Sequence, residues 1–423
     1  MRRAFFAILL SAVLILCCSC GAHTAEPREP SAAVSTQAEP VTESAEPEQA
    51  EVPAIDELDP ELYPYYALLS EDARTVFREV AACIERGDDE VIPSVRIYGS
   101  EMDRISLFIG YDLPQLFWYS GGLTYTYNSD NEVTAVRPQY NDLVDAREEN
   151  RAAVEAVAAD LLAQTADMDE AQTERFFHDW LCEHVAYERG SYDQNLYSAL
   201  VEGQTVCAGY THALQYLLTR SGIPCYFCTG QAYNRETGTW ESHGWNLVRL
   251  GGSFYAVDVT WDDDYLEADK YPSAVCYQYY NRTDDELSES HVRDDYGGLL
   301  PACDGTEASF EALYGITIQQ QLVTDLNCSY GETVDSMEEY YDLCYAAITS
   351  HGTGACTVSF VTGDPAVAET INSSSFDGES DGFVKSCASR LGLNGWSYSR
   401  SGQHWDLGGD CYYYEMTLSL TAA

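Results

Sequence analysis

Basic side chains are scarce in this chain: 22 Lys and Arg stand against 69 Asp and Glu in 423 residues, a formal charge of −47. A field of that sign makes nucleic acid and anionic lipid surfaces poor partners, and no nucleic-acid partner is expected. The long apolar run of a membrane span is also missing, because the run "AFFAILLSAVLIL" near the start is too short to cross a bilayer comfortably. No internal repeat is visible, which argues against solenoid and propeller architectures. Cys225 and Cys228 form a C-x-x-C without a second such pair, and their strand-like setting turns the two side chains to opposite faces, so no zinc or redox site is expected there. Asp262-Asp263-Asp264 lacks the glycine and spacing of a calcium loop and reads as a solvated turn. Neither metal nor cofactor follows from these features.

What is present begins with a three-part leader: Arg2 and Arg3, the apolar run, then "CCSCG". The segment resembles a bacterial lipoprotein signal, in which a small residue precedes the cysteine that is lipidated. Ser19-Cys20-Gly21 fits that pattern better than Leu16-Cys17, so residues 1–20 read as the signal peptide and Cys20 as the acylated new N-terminus. The resemblance implies an extracytoplasmic protein held on a bacterial membrane surface by a lipid anchor. Losing Arg2 and Arg3 leaves 20 basic residues against 69 acidic ones, a net −49. Of 15 cysteines, 12 then remain after Cys17, Cys18 and Cys20 are set aside, and export permits but does not require that they pair.

Residues 21–59 are rich in Ala, Glu, Pro, Ser and Thr with almost no aromatics, a composition that cannot offset its ordering entropy and reads as a disordered acidic tether. Residues 60–145 follow as a small α+β domain: Leu69, Ala73, Val76, Phe77 and Val80 recur at helical spacing after Ser70-Glu71, and aromatic–polar alternation around Asn128-Ser129-Asp130-Asn131 suggests a hairpin. Two amphipathic helices broken near Asp167–Asp169 come next. Residues 316–423 carry one helix and strand-like runs and form a separate small α/β domain of no assigned role. The 32 tyrosines form no visible stripe and read as core and strand residues.

The chemistry lies in "GQTVCAGYTHALQYLL". After Cys207, Tyr210, Ala213, Leu214, Leu217 and Leu218 fall at helical spacing, and Ser221-Gly222 ends the run. Cys207 therefore opens a helix, where unpaired N–H groups and the macrodipole favour thiolate. In "SHGWNLVRLGGSFYAVDVTW", Gly251-Gly252 reads as a two-residue hairpin turn. Residue 250 then faces 253, which puts Asp258 opposite Trp245 and one diagonal step from His243, on the same face. A carboxylate there can orient the imidazole and stabilise the imidazolium. Taken alone, Cys207 reads as well as a buried or disulfide-bonded cysteine, His243 as a structural histidine and Asp258 as a strand-end carboxylate; the constellation is what favours chemistry. His178, His184 and His212 lie on helical stretches without a metal-type pattern and read as structural or exposed.

"VCAGYTHALQYLL", "GIPCYFCTG", "SHGWNLVRL" and "FYAVDVTWDD" together resemble the bacterial transglutaminase-like superfamily over residues 146–300, with "FHDWLCEHVAYE" upstream and "YYNRTDDELSESH" downstream fitting as well. The resemblance implies an α+β papain-like transglutaminase core, a helix carrying the cysteine packed on an antiparallel sheet, with small α+β domains on either side. It implies Cys207 as nucleophile, His243 as general base and then acid, and Asp258 as orienting carboxylate. The reaction implied is acyl transfer through a thioester on peptide or isopeptide amides, by a cysteine protease, amidase or acyltransferase whose partner is a protein or peptide substrate, cell-wall peptide among the candidates. Hydrolysis is favoured over cross-linking, since nothing specifies an amine site. The backbone N–H of Cys207 is the first candidate oxyanion donor and Gln204 a second. Gly244 departs from the alanine common after the histidine, and His291, though inside the resemblance, has no role in it. The rival reading is a non-catalytic surface binding or scaffolding lipoprotein on the same fold.

Overall fold

The computed structural model describes residues 9–11, 55, 58–234, 237–264, 275–294, 299–316, 318, 321, 333–373, 381–406 and 412–422. Cys20 and nearly all of the tether lie outside these residues. The chain divides into two compact units, one of Met1–Thr260 with Tyr279–Ser309 and one of Trp261–Gln278 with Phe310–Ala423. Among the described residues no helix is long and apolar enough to cross a membrane.

In the first unit, helix α1 (Glu71–Arg86) starts where the Ser70 side chain accepts from the Ala73 amide, and it ends at Gly87 in the left-handed region. Helix α2 (Gly99–Asp112) follows, then the hairpin of β1 (Tyr119–Tyr127) and β2 (Val133–Tyr140), with Leu9–Ser11 running antiparallel along β1. Helices α3 (Arg147–Gln164) and α4 (Glu170–His184) are separated at Asp169, whose side chain forms a reciprocal cap with Gln172.

Helix α5 (Cys207–Arg220) is the centre of the unit: every residue except Thr219 is buried. A helix enclosed on all sides cannot be held by one apolar stripe alone, and its polar side chains act as ties. Tyr210 donates to Val185 O at 2.8 Å, Gln215 to Tyr111 O at 2.7 Å, and Arg220 reaches Glu155 of α3 at 2.8 Å. Each such bond, once one partner is removed, leaves a buried polar group that costs about 1–3 kcal/mol.

The sheet beneath α5 consists of β3 (Cys225–Asn234), β4 (Thr239–Leu250), β5 (Ser253–Val257) and, after the helix α6 (Val259–Asp264), β6 (His291–Arg293). Its order is β5-β4-β3-β6 and every pairing is antiparallel. Helix on antiparallel sheet, with helices of the same chain around it, is the α+β papain-like arrangement that the resemblance implies.

The second unit holds helix α7 (Met337–His351), β7 (Gly354–Thr362), α8 (Pro365–Asn372), α9 (Asp381–Arg390), β8 (Trp396–Asp406) and β9 (Tyr412–Ala422). Its sheet has the order β7-β9-β8, antiparallel throughout. Inward residues of β7 and β9, Val358, Phe360, Tyr414, Met416, Leu418 and Leu420, share a core with Tyr340, Cys344 and Ile348 of α7.

Candidate active site

Gly251 and Gly252 both have positive φ, 56° and 96°, a conformation that side chains with a Cβ rarely adopt. The turn they form pairs Leu250 with Ser253, and the ladder runs on to Asn246 opposite Val257. Asp258 is the next residue, one step past the last pair, on the face that carries His243 and Trp245. That register brings His243 Nε2 to 2.7 Å from Asp258 Oδ2. Both residues are buried. The Asp258 amide also donates to Tyr279 O at 3.0 Å, so the segment beyond α6 holds the carboxylate from its other side.

A second imidazole reaches the same oxygen. His291 Nε2 stands 3.1 Å from Asp258 Oδ2, and its Nδ1 lies 2.8 Å from Ser290 Oγ. Burial alone would raise the Asp258 carboxyl, but the charge and hydrogen bond of His243 and the hydrogen bond of His291 hold it far below the usual carboxylate range. Burial pushes His291 down, against the pull of Asp258. Trp245 lies under His243 with ring centroids 6.1 Å apart and meets His291 edge-on at 5.0 Å, which keeps water from the pair.

Cys207 is buried at the first position of α5, after Val206 in extended conformation. The first amides of an α-helix have no carbonyl of a preceding turn to bond, and Cys207 and Ala208 stand at those positions. The first turn is fixed to the sheet: Thr211 Oγ1 donates to Cys207 O at 2.8 Å, and Asn246 Nδ2 of β4 donates to Thr211 O at 3.0 Å. Gly209 permits close contact on the other side, since a Cβ there would stand 1.8 Å from Thr205 Oγ1. The helix start and the histidine strand are therefore positioned by one set of bonds.

Gln204 lies in a two-residue parallel pairing with Ala186–Tyr187, just before the helix. At Gly244 a Cβ would make only ordinary contacts, 3.5 Å to Phe227 and 3.6 Å to Thr211 Oγ1, so alanine fits there. Cys225 and Cys228 sit on β3, both buried, and burial pushes both thiols well above the ordinary range. His178 and His212 are buried and His184 is exposed. The acidic run differs from its reading as a solvated turn: residues 259–264 are helical and Asp262 is buried. Helix formation right after Asp258 turns that run inward, which local composition alone does not reveal.

His243, Asp258 and His291 offer three atoms within 4.8 Å of one another, a composition seen in metal sites. The 2.7 Å between Nε2 and Oδ2 is a hydrogen-bond distance, whereas two ligands of a tetrahedral ion sit roughly 3.4 Å apart. The donor set reads as a carboxylate shared by two imidazole N–H groups. His291 was missed in the sequence because its contact with Asp258 depends on β6 joining β3, a pairing of residues about sixty apart with no local signal. The remaining cleft of note, about 210 Å³ in the second unit, is lined by Asn372, Arg400, Ser401, His404, Tyr414 and Met416 with neighbouring residues, and no thiol or carboxylate is among them.

Residues 156–259 match the family model described as the transglutaminase-like superfamily. Cys207, His243 and Asp258 all lie inside the match. Among solved structures, the chain is similar to one described as a TGase, at 12% identity over 40% of this chain and 50% of that one, with a TM-score of 0.23. It is also similar to the periplasmic domain of TgpA from Pseudomonas aeruginosa, at 17% identity over 32% of this chain and 60% of that one, with a TM-score of 0.20. The chain thus spans between half and three-fifths of the length of these structures. No curated protein matches it.

Proposed function

We propose, on the premise that residues 156–259 form a domain of the transglutaminase-like superfamily, that the protein is a cysteine acyl-transfer enzyme with Cys207, His243 and Asp258 as its reacting set. The observation that carries this reading is the 2.7 Å bond between His243 Nε2 and Asp258 Oδ2 on a sheet tied by Asn246 to the helix that Cys207 opens. With Asp258 on Nε2, the Nδ1 nitrogen is the one that takes the thiol proton. The thiolate attacks an amide carbon, a C–S bond forms, and the negative charge passes to the carbonyl oxygen beside the helix-start amides. As the C–N bond breaks, the imidazolium gives its proton to the leaving amine. Water then attacks the thioester while His243 takes its proton, releasing a carboxylic acid and restoring the thiol.

Hydrolysis of peptide or isopeptide amides, cell-wall peptide included, is the form of this chemistry we favour. Water needs no dedicated site, and the chain offers only two lysines of its own, Lys270 and Lys385, as acceptors. Export and anchoring through a lipidated Cys20 would place the reaction on the outer face of a membrane.

The test is the pH dependence of iodoacetamide alkylation at Cys207 in the full mature chain, mapped by mass spectrometry, for wild type and His243→Ala. Reaction at a pH well below the roughly 8.5 of a free thiol, lost in the variant, is the expected result. An unreactive Cys207, or one labelled alike in both proteins, overturns the proposal and favours a binding protein on the same fold.

A further inference from the structure

We propose that His291 is a positioning residue for the Asp258–His243 pair: its Nε2–H holds Asp258 Oδ2 in place and shares the carboxylate's charge, making Asp258 a weaker base toward His243. The inference rests on the reading of Cys207, His243 and Asp258 as the reacting set.

Three observations carry it independently of titration. The first is geometric. Both imidazoles meet one oxygen, at 2.7 Å and 3.1 Å, and come from opposite edges of the strand pair β4–β3, so rotation of the Asp258 side chain breaks two bonds rather than one. The second is the glycine between them. Gly230 of β3 pairs with His243 on one side and with Arg293 of β6 on the other. A Cβ at that position would lie 2.1 Å from Val292 O and 2.7 Å from Trp245 Cη2, so only glycine lets β6 approach closely enough for His291 to reach Asp258. The third is the hydroxyl of Ser290, which lies 2.8 Å from Nδ1 and also contacts Leu287 O at 3.3 Å, so the far side of the ring is tied and Nε2 stays aimed at the carboxylate.

The titratable groups facing this cluster are His243 from β4, Asp258 after β5, and Tyr279, whose ring lies 5.6 Å from that of His291. From β3 comes the Cys228 thiol, the register partner of Trp245, which burial keeps protonated. His243 and His291 share the Asp258 carboxylate. A donor removed from Asp258 leaves its charge concentrated on the remaining partner, which favours the imidazolium of His243.

The experiment compares alkylation of Cys207 across pH in wild type, His291→Phe, His291→Gln and His243→Ala. Phe fills the volume without a donor; Gln places an amide N–H near the former Nε2. In His291→Phe the upper limb of the profile, where the imidazolium is lost, is expected to move up by about half a pH unit or more, with a lower plateau rate. In His291→Gln the limb is expected to return to the wild-type position. A merely structural role lowers rates without moving the limb and makes Gln no better than Phe; either result overturns the proposal.

If His291→Phe fails to fold, nitrogen-15 histidine spectra of the wild type decide. A neutral His291 with its proton on Nε2 at neutral pH supports the inference, and a cationic ring or the Nδ1–H tautomer overturns it. Failure of the underlying triad reading is separate, because it leaves His243→Ala indistinguishable from wild type whatever His291 does.

Discussion

Two carboxylates of the first unit, Asp258 and Glu174, are buried to the same degree and behave in opposite ways. Asp258 has two imidazoles on one oxygen and stays ionised far below the usual range, although burial opposes it. Glu174, on α4, accepts from Tyr280 O–H at 2.9 Å and Asn281 Nδ2 at 2.8 Å, both neutral donors. Burial dominates there, and those bonds together with the more distant His178 bring its pKa only to about 7. Desolvation alone does not decide the state of a buried acid. What decides is whether a partner at the contact distance can carry positive charge, and His243 is such a partner for Asp258, whereas Glu174 contacts the neutral donors of Tyr280 and Asn281.

The largest effect expected from breaking this contrast is Asp258→Asn. An amide facing His243 favours the tautomer that directs Nε2 as acceptor and leaves Nδ1 protonated, where it cannot take the Cys207 proton. Alkylation of Cys207 near neutral pH should fall by about 10²-fold. Glu174→Gln, tested in the same assay, should change the rate by less than about twofold, since Glu174 bonds to Tyr280 and Asn281 and not to the imidazoles. Equal losses in the two variants would show that both act through the fold.

A smaller effect should follow from moving β6 without touching the acid. Gly230→Ala forces a Cβ against the Val292 carbonyl and the Trp245 ring, and overpacking of this kind costs about 1–3 kcal/mol. The melting temperature should fall, and the alkylation profile should shift in the direction of His291→Phe because the Asp258–His291 bond stretches. A stable variant with a wild-type profile would mean that the sheet yields elsewhere and that Gly230 does not set the position of His291.

The half of the site that was legible in the sequence is the local half. The Gly251-Gly252 turn, strand alternation and a side-chain period of two are enough to put Asp258 one diagonal step from His243, and the ladder has that register. Helical spacing after Cys207 likewise places the cysteine at a helix start, and the Asp169 cap stands where α3 and α4 part. What could not be read is everything that depends on distant segments meeting. His291 needs β6 to close on β3, and Asp262 is drawn inward by a helix that its acidic neighbours do not announce. In the second unit, α8, α9 and β8 escaped notice because their order comes from distant segments: β8 pairs along β9, and Val367 and Ile371 of α8 with Val384 and Cys387 of α9 join the core that β7, β9 and α7 share.

Glu174 supplies the mildest test, through stability. Its pKa in the fold, about 7, lies above that of an unfolded glutamate, so the fold binds its proton more tightly than the unfolded chain does. The contribution is fully present below about pH 4.3 and is lost as pH rises through 7, a difference of about 4 kcal/mol between the two limits. Asp258 slopes the other way: its depressed pKa stabilises the fold above the usual carboxylate range and is lost only as pH falls through its own low value. In urea unfolding of the full mature chain followed between pH 5 and pH 8, Glu174→Gln should remove most of the decline in stability across that interval. Its advantage over wild type should be greatest at pH 8 and shrink toward pH 5. A wild-type slope retained in the variant would assign the decline to other groups, and the contrast between the two buried acids would then rest on the imidazoles of Asp258 alone.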